Sequence, residues 1–345
     1  MHYLTILAMG VGSCFLISLL FRKLGIVDKP DGVRKIHKGE IALGGGLAIF
    51  LPSLFFILVL YPESSLNSLS NSPELLTVFF ISIIILSLGL WDDIKPLPTS
   101  IRLIVQIFAS WLVIITTDIY IMDLGNLLGF GNLYLGPLGI PITIFMVVGV
   151  CNAFNMLDGM DGIVGFVILV CSSAISLIAY LNDVPEVLFL GSILCLVFLL
   201  FNLGLLGKKW KLFLGDSGSM WLGFITAWFL VILSQGEDRL FLPVTALWLV
   251  LLPLIDALST FLSRLWNRKS LFLGDRNHIH HILLDAGLEK WKVLLIFLII
   301  SIISAGFGVF ANLNSISEPT QFYGFLTIWF FYFLLVKFPL TNNRK

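Results

Sequence analysis

A chain of 345 residues that is 58% hydrophobic and only 12% charged, with a formal net charge of zero and a mean hydropathy of +1.00, is too apolar for a soluble domain and shows no charge bias toward nucleic acid. An open sheet could not satisfy its backbone in lipid, and a β-barrel would need alternating apolar and polar positions where this chain has continuous runs. The composition predicts an all-α, polytopic integral membrane protein.

Eleven apolar runs are long enough, or nearly so, to cross about 30 Å of hydrocarbon. They are residues 3–21, 42–61, 75–91, 101–120, 138–154, 162–181, 186–204, 219–234, 240–262, 291–311 and 321–340. Arg22 and Lys23 follow the first run in place of a small-residue cleavage site, so it reads as a retained span and not a signal peptide. The chain reads as one integral membrane unit over 1–345, and its longest polar connection is 262–290. Cys14, Cys151, Cys171 and Cys195 sit in apolar runs without metal-ligand spacing and read as packing residues.

Twenty of the 21 Lys and Arg residues fall on one set of connections and on the C-terminal end, leaving Arg239 alone on the other side. The positive-inside rule then places the basic face in the cytoplasm, the N-terminus outside and the C-terminus inside. The opposite face is plain: 62–73 is rich in Ser and Asn, and 118–141 is rich in Gly, Leu and Asn, with a hairpin turn expected at 130–134. Every candidate polar cluster falls on the basic face.

The first basic connection carries Arg34, Lys35, His37 and Lys38, then Gly44, Gly45 and Gly46 at the start of a span. The basic residues serve topology or anionic lipid as readily as chemistry. The glycines permit close backbone approach to a ligand. The second connection opens on Asp92 and Asp93, adjacent carboxylates that want a cation or a proton between them unless both are simply solvated.

The third, 152–162, places Asn152, Asn155, Asp158 and Asp161 three residues apart, with Gly159 and Gly162 among them. An α-helix would carry these groups around its axis; a 3₁₀ turn, or a turn broken at the glycines, lines them up better. A capped helix end explains one Asn and one Asp but poorly explains four such groups, and polar groups at the end of a span mark a site.

In the fourth connection Phe213 leads into Gly215, Asp216, Ser217, Gly218 and Ser219. It offers an oxygen ligand and free N–H groups for phosphate at a helix N-terminus, or an ordinary N-cap. The fifth carries Asp275, Arg276, Asn277, His278, His280 and His281. Three imidazoles within four residues suit a metal or a diphosphate; structural zinc is disfavoured because two are adjacent and no cysteine is near. Asp256, in the ninth run, reads as a partner of these bases and not as a catalyst. Acids, amides, cations and glycine turns on one face are what a metal-assisted diphosphate site requires.

These motifs, in all five connections and in order, resemble the polyprenyl-phosphate N-acetylhexosamine-1-phosphate transferases, and the likeness covers nearly the whole chain. The most specific are 152–162, 213–219 and the His-Ile-His-His of 278–281. That last form, and eleven spans instead of ten, resemble the bacterial N-acetylglucosamine branch more than the phospho-MurNAc-pentapeptide branch. The Asp-rich motif departs from the family's DDxxD, since its last position is Pro96. The departure puts a third carboxylate there in doubt, but not Asp92 and Asp93.

The resemblance implies transfer of a sugar-1-phosphate, GlcNAc-1-phosphate first among the options, from a UDP-N-acetylhexosamine to undecaprenyl phosphate. UMP is released, and the product would start a cell-envelope polysaccharide such as O-antigen or teichoic acid. It implies a bacterial inner-membrane enzyme in contact with the bilayer, with a homodimer left open. The catalytic set it implies is Asp92, Asp93, Asp158, Asp161, His278, His280 and His281. Asp216 and Asn155 would be the magnesium ligands, with manganese as a substitute. Asp92 and Asp93 would place the metal or the lipid phosphate, Asp158 and Asp161 would lie on the nucleoside side, and Phe213 would stack on uracil. His278, His280, His281 and Arg276 would hold the diphosphate or sugar, Asn152 would touch substrate, and His37 and Lys38 would close over the nucleotide.

Two other classes are weighed against this. A secondary transporter places polar groups near the bilayer midplane, often in repeated halves, whereas these cluster at one face and no internal repeat is visible. A CDP-alcohol phosphotransferase carries a DGxxAR signature that is missing after Asp158 and Gly159.

Overall fold

A backbone in hydrocarbon satisfies its own N–H and C=O groups most simply as a helix, and each of the eleven predicted runs contains helix among its described residues. The computed structural model describes residues 2–29, 39–60, 73–182, 189–268 and 278–337. Its helices are α1 (His2–Leu24), α2 (Gly45–Phe55), α3 (Pro73–Ile94), α4 (Thr99–Thr117), α5 (Gly139–Leu157), α6 (Ile163–Leu181) and α7 (Phe189–Asn202). They continue with α8 (Gly215–Ser234), α9 (Pro243–Leu249), α10 (Leu251–Trp266), α11 (Ile279–Asp285), α12 (Lys290–Leu313) and α13 (Glu318–Tyr332). The last helix runs on as a π-helical turn, Phe333–Lys337.

Eight of the described helices are long and apolar enough to cross a membrane. The second and seventh runs form shorter apolar helices, Gly45–Val59 and Phe189–Asn202. The ninth departs from the single span expected over 240–262: α9 and α10 meet at an angle of 86°. The break falls at Val250, whose φ of −124° and ψ of 33° lie outside the helical range. Pro253 accounts for it, because its ring lacks an N–H and collides with the carbonyl four residues back, that of Leu249.

Helix α8 is the centre of the molecule, with 78% of its span buried, against 11% for the last helix. Its first turn is held between α2 and α3 at positions where only glycine fits. A Cβ on Gly46 would lie 2.5 Å from the Cα of Gly218, and one on Gly89 would lie 2.3 Å from the Cα of Ser217. Trp221 then donates its indole N–H to Ser82 Oγ at 2.8 Å. The glycine triplet was expected to admit a ligand, and the structure corrects this. Gly44 faces Ile17 and Phe21, Gly45 faces Phe198 and the 213–214 backbone, and Gly46 faces 217–218. All three serve helix packing.

A three-stranded sheet ties the first connection to the fourth: β1 (Val27–Asp28) pairs antiparallel with β2 (Ile41–Leu43), which pairs parallel with β3 (Leu212–Phe213). On the opposite face the expected hairpin is present, with a bridge between Asp123 and Tyr134. Gln235 Oε1 holds it by accepting from the N–H groups of Met122 (3.0 Å) and Asp123 (3.2 Å). All four cysteines are buried and free, as expected of packing residues.

Candidate active site

The third connection begins as helix and ends as a turn. Helix α5 continues through Leu157, so Asn152 and Asn155 project from it, and the chain then turns through 158–162. Gly162 closes the turn at φ +84°, a left-handed conformation that glycine adopts without strain. The groups are therefore aligned by a turn broken after the helix and not by a 3₁₀ run.

Asn155 reaches the fourth connection, donating Nδ2 to Asp216 Oδ1 at 2.7 Å and to Ser219 Oγ at 3.0 Å. Asp216 lies in the first turn of α8, which starts four residues before the predicted run. The charge of Asp92 acts on it as well. The structure thus brings together the two residues expected to hold a cation.

Asp92 and Asp93 do not face one another across a shared cation, as their adjacency suggested. Asp92 accepts from Arg102 Nη1 at 2.8 Å and from the N–H of Leu97 at 2.6 Å. Asp93 turns to α8, its two oxygens accepting from the N–H groups of Asp216 (2.7 Å) and Ser217 (3.1 Å). A carboxylate at a helix N-terminus is stabilised by those donors and by the helix dipole. It also occupies two of the N–H groups expected to be free for phosphate.

Asp161 pairs with Lys211 Nζ at 2.5 Å, and the same ammonium lies 5.2 Å from the ring centroid of Phe213. The expected uracil-stacking ring therefore has a lysine on one side. The side chain of Asp158 has no hydrogen-bond or ion-pair partner among the described residues. Burial pushes its carboxyl well above the usual carboxylate range, and the charges of Asp216, Asp93 and Asp161 push it further.

The imidazoles of the fifth connection reach the third. His280 is fully buried, neither ring nitrogen has a hydrogen-bond partner among the described residues, and its Nε2 would lie 2.1 Å from a Cβ on Gly159. Its ring lies parallel to that of His278, centroids 6.0 Å apart, and 4.1 Å from that of His281. Asp256 accepts from His278 Nδ1 at 2.7 Å, so the carboxylate does partner these bases. His37, Lys38 and Arg276 lie outside the described residues.

Burial, and then the charges of His281 and His278, push the His280 imidazole down to about 3 from 6.5. A group whose folded value is lowered binds fewer protons in the folded chain, so stability is lost as pH falls through 6.5 toward 3. Between pH 7 and pH 5 the loss is about 2 kcal/mol. A His280→Gln variant is expected to flatten the thermal-unfolding midpoint over that interval; an unchanged slope would refute the assignment.

Several residues that position the site escaped the sequence reading. Gln106, fully buried in α4, accepts from Asn152 Nδ2 at 2.7 Å and so fixes its amide. Asn202 accepts from the N–H of Gly162 at 2.6 Å and donates to the carbonyl of Leu212 at 2.9 Å, bracing the third connection against the fourth. Both are lone carboxamides in apolar runs, and that is the signal that could have found them.

Among the described residues no three His, Cys, Asp or Glu side chains converge at metal-binding distance. That excludes a closed zinc-type cage from the described part of the site. The donors present still fit magnesium, which takes one or two carboxylates and fills its remaining positions with water and phosphate oxygens. Asp216 supplies one carboxylate and Asn155 an amide beside it, and Asp158, its side chain unpaired among the described residues and in the field of Asp216, Asp93 and Asp161, favours a cation nearby.

Fold and site together define a helical membrane protein whose polar connections converge on one acid-rich cluster around the first turn of its most buried helix. A family model for glycosyl transferase family 4 matches residues 75–234. The chain is 32% identical over 340 residues to an undecaprenyl-phosphate alpha-N-acetylglucosaminyl 1-phosphate transferase of Escherichia coli (strain K12), covering 94% of this chain and 89% of that one. It is 34% identical over 326 residues to the protein of the same name in Haemophilus influenzae, covering 92% and 89%. The Salmonella typhimurium protein is 32% identical over 329 residues, covering 94% and 87%. The chain belongs to glycosyl transferase family 4, and it is a membrane-embedded transferase.

Proposed function

We propose that this transferase moves N-acetylglucosamine 1-phosphate from UDP-N-acetylglucosamine to undecaprenyl phosphate, releasing UMP. It would do so at the cytoplasmic face of a bacterial inner membrane, with eleven crossings, the N-terminus outside and the C-terminus inside. The observation that carries the reading is the meeting of Asn155, Asp92 and Asp93 at Asp216, with the Asp158 side chain unpaired among the described residues beside them. The names of the relatives supply the substrates.

An oxygen of the lipid phosphate attacks the β-phosphorus of the nucleotide sugar; the bond to the bridging oxygen breaks, and UMP leaves with the electron pair. The attacking phosphate is already an anion near neutral pH, so the barrier is the approach of two polyanions and not deprotonation. Magnesium, held by Asp216 and Asn155, would neutralise that charge and align the phosphates.

Asp93 keeps α8 in place by capping it, and Arg102 holds Asp92 beside Asp216. Asp161, Lys211 and Phe213 would border the nucleoside, with Asn202 bracing the turn on which Asp161 sits. Asp158 would face the diphosphate once a cation offsets its charge. His278, His281 and Arg276 would hold the sugar phosphate, and His37 and Lys38 would close over the nucleotide.

The test uses purified protein in detergent with undecaprenyl phosphate, magnesium and a panel of UDP-sugars, reading UMP. Turnover with UDP-N-acetylglucosamine that chelation removes, and that magnesium or manganese restores, is the expected result. Turnover with a different UDP-N-acetylhexosamine alone would change the donor. No UMP from any donor, with folded protein, would overturn the function.

A further inference from the structure

We propose that Lys337 and Tyr332, at the end of the last helix, are positioning residues for the transfer reaction, acting on His278 through Asp256. The inference rests on the functional reading above and extends the site to an element that none of the sequence motifs touches.

Asp256 is 2% exposed and its carboxylate is fully engaged. One oxygen accepts from His278 Nδ1 at 2.7 Å. The other accepts from Tyr332 Oη at 2.6 Å, from the N–H of Ile279 at 3.1 Å and from Lys337 Nζ at 2.8 Å. Lys337 is itself 1% exposed and also donates to Thr260 Oγ1 at 2.9 Å. An ionised carboxylate can only accept, so Nδ1 of His278 must carry the proton in this bond. The ring is thereby fixed with Nε2 as the atom left for substrate. The ring plane is fixed as well, and its parallel neighbour His280 rests on Gly159, next to Asp158. A shift of Asp256 would therefore reach the acid cluster through two imidazoles.

Docking the helix does not require a buried lysine. Trp329 already donates to Ser259 Oγ at 3.0 Å across the same seam. Burying an ammonium costs several kcal/mol that its partner only partly returns, and apolar replacements of such pairs are often neutral in stability. The chain nonetheless brings Lys337 in, where the helix runs on as a π-turn, Phe333–Lys337, a device common at functional sites. Sequence reading took this lysine for part of the positive-inside signal; the structure buries it.

The test compares Lys337→Met, Lys337→Arg, Tyr332→Phe, His278→Ala and the double variant Lys337→Met/His278→Ala in the UMP assay. Lys337→Met is expected to lower kcat by about 10- to 100-fold, as a displaced orienting group does, with KM for the nucleotide sugar within about twofold. Lys337→Arg is expected to recover most of the rate and Tyr332→Phe to lose part of it. In the His278→Ala background the Lys337 substitution is expected to add nothing, because the two act in series. Wild-type kcat in Lys337→Met, or an undiminished loss in the His278→Ala background, would overturn the proposal.

If Lys337→Met does not fold, Asp256→Asn/Lys337→Met, which leaves no unpaired buried charge, carries the comparison and is expected to match His278→Ala. Failure of both to fold would make the seam a folding element only. If the wild-type protein releases no UMP, the functional reading fails separately. The link to His278 is then read from its imidazole nitrogen shifts by NMR: a change in Lys337→Met supports the link and an unchanged spectrum refutes it.

Discussion

Replacing Gly89 with alanine is expected to lower kcat/KM by at least about 100-fold, although Gly89 carries no functional group. The added Cβ would sit 2.3 Å from the Cα of Ser217, 2.5 Å from its nitrogen and 2.7 Å from the carbonyl oxygen of Asp216. All three atoms are backbone, so no side chain can rotate away and the helices α3 and α8 must part. Asp93 lies one turn further along α3, and its bonds to the N–H groups of Asp216 and Ser217 depend on that spacing. A displacement of about 1 Å is enough to cost two orders of magnitude in rate. Overpacking of this kind costs about 1–3 kcal/mol of stability, so the unfolding midpoint should fall while the helical signal remains. Gly149→Ala serves as the control, since a Cβ there meets nothing within 4 Å. Wild-type turnover in Gly89→Ala would contradict the α3–α8 contact on which the site is built.

What the sequence made legible, and what it hid, follows from the range of the interactions. The apolar runs report burial in lipid, a local property, and every one contains helix among its described residues. The bend at Val250 was also within reach, because Pro253 marks it. Asn155 and Asp216 were recognisable as chemistry from their motifs, and the structure brings them together. Which partner each acid takes is a property of helix packing, and no spacing along the chain reports it. Asp92 and Asp93 are neighbours in sequence yet serve Arg102 and the α8 N-terminus respectively. The glycine triplet and Gly89 were ambiguous for the same reason, since a close approach is visible only once the approaching backbone is known. Lys337 was hidden because a lysine near the C-terminus of the chain fits the positive-inside pattern and gives no sign of burial.

Asp216→Ala is expected to reduce turnover by about 10³-fold or more and to leave the fold intact or slightly more stable. The two effects have one origin. Asp216 lies beside Asp92, its charge raises the carboxyl of Asp158, and Asp93 caps the same helix turn. Each of these acids repels the others, and among the described residues only Arg102, paired with Asp92, forms an ion pair with any of them. Removing one charge relieves that repulsion, so Asp158 should titrate closer to an ordinary carboxyl. The same removal deletes an anionic oxygen that the proposed magnesium site needs. Asp216→Asn separates charge from shape, because an amide there can still accept from Asn155 Nδ2 through its carbonyl oxygen. If charge is what matters, the Asn variant is as inactive as the Ala variant and shows the same rise in unfolding midpoint. If Asp216 acts instead as a hydrogen-bond acceptor for Asn155, the Asn variant retains most of its turnover, and the assignment of Asp216 as a cation ligand fails. Acids held together against their own repulsion are a cost to the fold, and such a cost is kept where a bound cation and a polyanionic substrate return it during turnover.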